Sequence, residues 1–220
     1  MSRSDYPSAH PFLPQEKSLD NLAEAAAGCQ GCPLYQDATQ VVFGEGHGEA
    51  DIMLVGEQPG VREDRTGEPF VGPAGKVLDQ AIGEAGLHRG DLYITNAVKH
   101  FKAETTEDRV NEIKPNVSEI TACRPWLEQE MEQVQPEIIV ALGAVAARSL
   151  IGQAIAIGET LDEWMQTAEG RDLLVTYHPS ATLRSIAEAD QDRIFDAITA
   201  ALVRARETVT PTRPGARPQA

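Results

Sequence analysis

Four short apolar runs constrain this chain more than any other feature: Ile52-Met53-Leu54-Val55, the segment DLYITNAV at 91–98, Ile138-Ile139-Val140-Ala141-Leu142, and the segment LLVTY at 173–177. Each has the length of a strand. Their apolar residues are continuous rather than alternating, which is the pattern of parallel strands buried on both faces. Between them lie stretches at helical spacing, such as Val77, Leu78, Ala81, Ile82 and Ala85 after Pro73. This alternation predicts an α/β protein, a three-layer α/β/α sandwich around a central, mostly parallel, four-stranded sheet.

Three of the runs break off into unusual polar groups: Glu57 and Gln58 after the first, Asn96 in the second and His178 after the fourth. Parallel strands end on one edge, and open α/β sheets bind ligands beyond the carboxyl ends of their strands. The pattern therefore predicts one cleft with a carboxylate, two amides, a histidine and the ring of Phe70, which sits in the long polar loop after the first strand. Several chemistries are excluded. GEQPG at 56–60 is neither a Walker loop nor a GxGxxG, there is no G-x-S-x-G elbow, and this edge lacks the clustered His and Asp of a metal hydrolase. Asn96 can simply cap its strand and His178 can be a plain loop histidine, but together such groups can also read a pyrimidine. Asn96 offers an acceptor to N3–H and a donor to O4, and Phe70 can stack on the base. His178 can hydrogen-bond O2 as charge develops on a departing base. Glu57 can sit near the anomeric carbon, where a carboxylate stabilises an oxocarbenium ion or orients water.

The remainder of the chain bounds this reading. Its 220 residues suffice for one sizeable core: a single domain over 18–207, an extended segment at 1–17 carrying Pro7, Pro11 and Pro14, and a disordered Pro-rich tail at 208–220. No apolar run approaches the roughly 18 residues of a membrane span, and the first residues lack a secretory apolar region, so a cytoplasmic monomer is expected. The net charge of −15 argues against a uniformly basic nucleic-acid binder but leaves room for a local basic strip. Arg62, Arg65, Lys76, Lys99, Lys102 and Arg184 are its expected members. Ser18 should cap a helix over 18–27, Ser118 one running to about 133, and 187–207 forms the last helix. Residues 41–43 and 155–157 read as short strands and 102–116 as a polar loop. Cys29 and Cys32 form a CxxC, a metal or redox pair, and Cys123 makes the count odd.

Several separated motifs carry a resemblance. GEQPG, Glu63-Asp64, Pro69 to Gly75, TNAVKH at 95–100, ACRPWL at 122–127 and HPS–LR at 178–184 resemble, in order, the uracil-DNA glycosylase superfamily. The chain is most similar to the family-four iron–sulfur type. Gln58 after the motif glutamate and His100 after Lys99 bring it closest to the UdgX-type branch.

The resemblance implies excision of a flipped uracil from DNA in base excision repair. It implies that Gly56 and Gln58 line the base pocket, that Glu63, beside Asp64, crowds C5 against thymine, and that Ser180 and Arg184 belong to the substrate-binding set, Arg184 holding phosphate or wedging the gap. It also implies that Cys29, Cys32, Cys123 and His100 hold a [4Fe–4S] cluster, although a Cys3His set is also zinc chemistry. UdgX-type proteins carry a KRRIH loop whose histidine bonds covalently to the sugar. This chain lacks that loop; an ungapped alignment puts Glu112 at the histidine's position, with Arg109 as the nearby basic match. Glu112 then activates water, or forms an ester that hydrolyses or persists. The expectation is an enzyme that turns over; the alternatives are a UdgX-like protein that traps uracil-DNA, or an iron–sulfur module without activity.

Overall fold

The computed structural model describes residues 6–105, 110–161 and 163–209. Among these the strands are β1 (Glu45–Gly46), β2 (Ile52–Gly56), β3 (Tyr93–Asn96), β4 (Ala103–Thr105), β5 (Val110–Glu112), β6 (Ile138–Leu142), β7 (Met165–Gln166) and β8 (Asp172–Thr176). The helices are α1 (Leu19–Ala26), α2 (Val61–Thr66), α3 (Pro73–Glu84), α4 (Val117–Val134), α5 (Ala144–Ile151), α6 (Ile157–Thr160), α7 (Ser180–Arg184) and α8 (Glu188–Thr208).

The four apolar runs are the four central strands, parallel in the order β3-β2-β6-β8. The sheet is wider than expected, because β1 and β7 add an antiparallel strand at each edge, making six. Side chains alternate across it. Ile52, Leu54, Ile94, Val140 and Leu174 face Leu78 and Ile82 of α3 and Ile198 and Leu202 of α8. Met53, Val55, Tyr93, Ile139 and Val175 face Leu127 and Met131 of α4 and Leu150 of α5. Both faces are dry, which is why the runs carry no polar alternation. The result is the expected three-layer sandwich.

Local differences have local causes. Residues 41–43 are not a strand; the edge pairing falls at β1. Residues 155–157 lead into α6, and the other edge is β7. Asn116, not Ser118, caps α4: its Oδ1 accepts from Glu119 N–H at 2.9 Å while Glu119 accepts from Asn116 N–H at 2.7 Å. The polar loop at 102–116 contains the β4–β5 hairpin. The amino-terminal segment lies against the body, with Ala9 fully buried and its N–H donating to Ala122 C=O. Arg109 and the tail from 210 onward lie outside the described residues. Among the described residues, no helix is long and apolar enough to cross a membrane.

Register places the site. Gly56 pairs with Asn96 and Leu142 with Thr176, so the strands end level and their following loops open onto one edge.

Candidate active site

A cavity of about 1070 Å³ opens at that edge, and Glu57, Gln58, Glu63, Phe70, Asn96, Glu112, His178, Ser180 and Arg184 all line it. Its floor is built on glycine. A Cβ on Gly56 would overlap both Asn96 Oδ1 and Phe70 Cζ, so amide and ring close over a residue that can carry no side chain. Phe70 itself adopts φ 56°, a left-handed conformation that costs a bulky residue energy. Gly75 accommodates it, since a Cβ there would collide with the Phe70 carbonyl. The PFVGPAG stretch is thus a device for aiming one ring, whose centroid lies 6.0 Å from that of His178.

Three buried polar atoms of cavity-lining residues lack a hydrogen-bond partner, Gln58 Oε1, Asn96 Oδ1 and His178 Nε2, and the last two have complementary chemistry. The His178 tautomer follows from its other nitrogen. Nδ1 takes the Ser180 N–H at 3.2 Å and lies 2.7 Å from Ser180 Oγ, which accepts from Arg184 Nη1 at 2.8 Å and so turns its own O–H toward Nδ1. With Nδ1 accepting, the neutral ring carries its proton on Nε2, as a donor facing the cavity. Burial first, then the Arg184 and Lys114 cations, hold the ring neutral by depressing its pKa from 6.5 to about 4.

Glu57 is half-buried just past β2. Burial raises its pKa and the nearby Glu112 carboxylate adds to that, while Lys114 and Arg184 pull it back down. Glu112, exposed on β5, therefore stands within electrostatic reach of Glu57; its Oε1 lies close over Gly60. Lys114 went unnoticed in the sequence. A lone lysine in a polar loop has no pattern to betray it, yet it faces both Glu57 and His178.

Other expected residues stand differently. Gln58 lines the cavity, but its Nε2 donates to Lys102 C=O at 3.3 Å and Ile113 C=O at 3.1 Å. It clamps the two ends of the β4–β5 hairpin and so holds Glu112 and Lys114 over the opening. Glu63 accepts from Gly60 N–H at 3.1 Å and Gly72 N–H at 2.7 Å. Both its oxygens brace the cavity wall from the first turn of α2. Asp64 is not among the cavity-lining residues; it is buried and accepts from Thr39 N–H at 2.9 Å. Of the expected basic strip, Arg62, Arg65 and Arg184 line the opening. Lys99 does not belong to it, being fully buried against Glu130, and Lys102 is paired with Glu119 at 2.9 Å.

Cys29, Cys32 and Cys123 lie buried in one cluster with Trp126. Trp126 Nε1–H donates to Cys29 Sγ and the Lys99 N–H donates to Cys123 Sγ, each at 3.3 Å. Burial pushes the Cys123 thiol up to about 12, with a contribution from the other two sulfurs, and burial also raises Cys32. Buried His100 shares a small cavity with Cys29. Among the described residues, no three His, Cys, Asp or Glu side chains converge tightly enough to hold one metal ion. Three sulfurs and an imidazole, with N–H donors aimed at two of the sulfurs, nonetheless form a donor set of the kind an iron–sulfur cluster takes.

Comparison with known proteins gives a consistent picture. The profile of the uracil DNA glycosylase superfamily matches residues 43–202. The type-4 uracil-DNA glycosylase of Pyrobaculum aerophilum is 38% identical over 176 residues, 77% of this chain and 86% of that protein. That of Thermotoga maritima is 36% identical over 172 residues, 78% of this chain and 86% of its own length. That of Sulfurisphaera tokodaii is 37% identical over 193 residues, 80% and 83% of the two chains.

Proposed function

Because this chain belongs to the uracil-DNA glycosylase superfamily, we infer that it is a DNA-repair enzyme that hydrolyses the N-glycosidic bond of deoxyuridine in DNA. The observation that carries the reading onto these residues is the pair of unpartnered buried atoms, an acceptor at Asn96 Oδ1 and a donor at His178 Nε2, in a cavity floored by Phe70. Uracil presents N3–H, O4 and O2. Asn96 takes N3–H and gives its amide N–H to O4, while His178 gives Nε2–H to O2. Cytosine, with no N3–H and an amino group at C4, leaves the amide mispaired, and mispaired buried groups reject strongly.

The nucleotide enters flipped from the DNA. As the C1′–N1 bond breaks, its electron pair moves onto uracil, and the Nε2–H bond stabilises the anion at O2. Glu57 faces the cation developing at C1′ and orients water, which adds there and yields an abasic site and free uracil. Glu112, beside Glu57, assists in taking the water's proton. Arg62, Arg65, Lys114 and Arg184 give a chain of net charge −15 its local attraction for phosphate.

We further propose that Cys29, Cys32, His100 and Cys123 hold a [4Fe–4S] cluster. When bound, it would serve as a cross-link between the amino-terminal region, the segment after Asn96 and α4. The resemblance to the family-four iron–sulfur type favours this over zinc, which the same Cys3His set could hold.

Gln58 and His100 favour a second reading, a UdgX-type protein that traps its DNA. The absence of KRRIH and the resemblance to proteins named type-4 glycosylases support turnover instead. One assay tests both. The protein is incubated with a uracil-containing single-stranded oligonucleotide, and released uracil per protein is counted beside a denaturing gel. Many uracils per chain and no shifted band are expected. Less than one uracil per chain with a persistent protein–DNA band would overturn turnover, and no uracil at all would overturn the glycosylase reading.

A further inference from the structure

Behind the base pocket, on the opposite face of β3, lies a charged pair with no access to solvent. Glu130 of α4 and Lys99 are both 0% exposed. Glu130 Oε1 accepts from Gly44 N–H at 3.0 Å, Tyr93 OH at 3.1 Å and Thr95 Oγ1 at 2.9 Å. Its Oε2 takes the Lys99 ammonium at 2.5 Å. The same ammonium donates to Thr95 Oγ1 at 2.6 Å and to the backbone carbonyl of Asn96 at 2.8 Å. All three ammonium protons are used. Burial and the adjacent Glu130 push the Tyr93 phenol up, so it stays a donor.

Taking two charges out of water is expensive, and a well-packed apolar pair of similar volume often serves stability as well or better. The network's geometry suggests what it provides instead. Tyr93 and Thr95 point toward α4 and Asn96 points the other way, as strand alternation requires. Glu130 therefore grips β3 from behind at two side chains. Lys99, three residues past Asn96, reaches back to hold the Asn96 peptide itself. Asn96 Oδ1 is left buried on the cavity side, packed over Gly56 but with no hydrogen-bond partner of its own.

We propose that Lys99 and Glu130 are positioning residues for base recognition: by anchoring the Asn96 peptide from behind the sheet, they hold its amide in the orientation that reads uracil. This rests on the function proposed above. Preorganisation at this site matters because a misplacement of about 1 Å costs up to about 100-fold in rate.

The test is the double variant Lys99→Met/Glu130→Gln, which removes both charges while the amide keeps an acceptor for Gly44, Tyr93 and Thr95. Single-turnover uracil excision is measured with wild type in parallel, alongside melting temperature and anisotropy binding to uracil-free single-stranded DNA. The expected result is a drop in maximal excision rate of about 10- to 100-fold, with DNA binding unchanged and melting within a few degrees. Adding the two substitutions to Asn96→Ala should cost little beyond Asn96→Ala alone, because all three act through one amide. Should the double variant fail to fold, Thr95→Val removes one hydroxyl of the network, and the same two criteria apply: a slower rate, and no multiplication with Asn96→Ala. Wild-type excision rate in the variant that folds, or losses that multiply with Asn96→Ala, would overturn the proposal and leave the glycosylase reading standing. An inactive wild type would overturn both.

Discussion

Ser180 Oγ lies 2.7 Å from His178 Nδ1 and receives Arg184 Nη1 at 2.8 Å, so one hydroxyl joins a surface cation to the imidazole that lines the cavity. Ser180→Ala removes that link. The Ser180 N–H still reaches Nδ1 at 3.2 Å, so the tautomer survives and the effect is modest. Excision should fall about 3- to 10-fold, the loss of one hydrogen bond of about 0.5–1.5 kcal/mol, with melting unchanged. Single-turnover kinetics check it; wild-type rates would show the relay to be idle.

Glu57 and His178 should separate in a pH–rate profile. Burial and Glu112 raise Glu57 above 4.5, and excision needs it ionised, so the acidic limb should lie above 4.5 and belong to Glu57. Glu112→Gln removes a raising charge and should move the limb down; Lys114→Met removes a lowering charge and should move it up. His178, neutral down to about 4, should contribute no inflection near 6.5. The same depression makes stability depend on pH. Between 6.5 and about 4 the unfolded chain binds a proton that the folded one refuses, so stability conferred by neutral His178 is full above 6.5, declines as pH falls through that window and levels off below about 4. His178→Gln should flatten that part of a melting-temperature profile.

Gly56→Ala should be severe although the backbone there is an ordinary strand. The added methyl overlaps Asn96 Oδ1 and the Phe70 ring, so one of them must leave the pocket. Excision should fall at least about 100-fold, with about 1–3 kcal/mol of stability lost to overpacking. Chemical denaturation and single-turnover assays measure the two effects separately.

What could be read in the sequence was what short range determines. The four central strands show because both their faces are dry, and the site edge follows from where they stop. The edge strands are two residues each and carry no pattern. Helix α2, VREDRT, has no apolar stripe and is held by Glu63 gripping Gly60 and Gly72, a tertiary cause. Lys99 read as a surface cation because its partner Glu130 is 31 residues away. Asn116 was findable, since N-x-x-E is a capping signature. Spacing shows that Gln58 starts at the cavity edge, and only the fold shows that its Nε2 ends on the hairpin while its Oε1 is left without a partner.

The sulfur set makes a compositional prediction. Purified protein should be brown, with about four irons per chain and absorbance near 400 nm. Cys123→Ala should remove both and lower the melting temperature, because three buried polar donors would lose the group that holds their segments together. Colourless protein with stoichiometric zinc would sink the cluster assignment. Iron content and melting are read without reference to activity, so the outcome does not depend on the excision chemistry.

On the proposed mechanism, Glu112 is the residue that decides what happens to the DNA after uracil departs. It stands at the end of β5, held over the opening by the Gln58 clamp, near enough to Glu57 to raise its pKa. A nucleophile at this point meets the C1′ cation. A carboxylate there either passes water through or forms an acylal-type ester, which water can cleave; an imidazole forms a C–N bond, which water does not readily cleave. Glu112→Gln should therefore slow turnover without producing an adduct, whereas Glu112→His should yield a protein–DNA band that survives denaturing electrophoresis, at less than one uracil per chain. The wild type should show no such band. If Glu112→His forms no adduct while still excising uracil, the side chain at this position does not reach C1′, and the water must be activated by Glu57 alone.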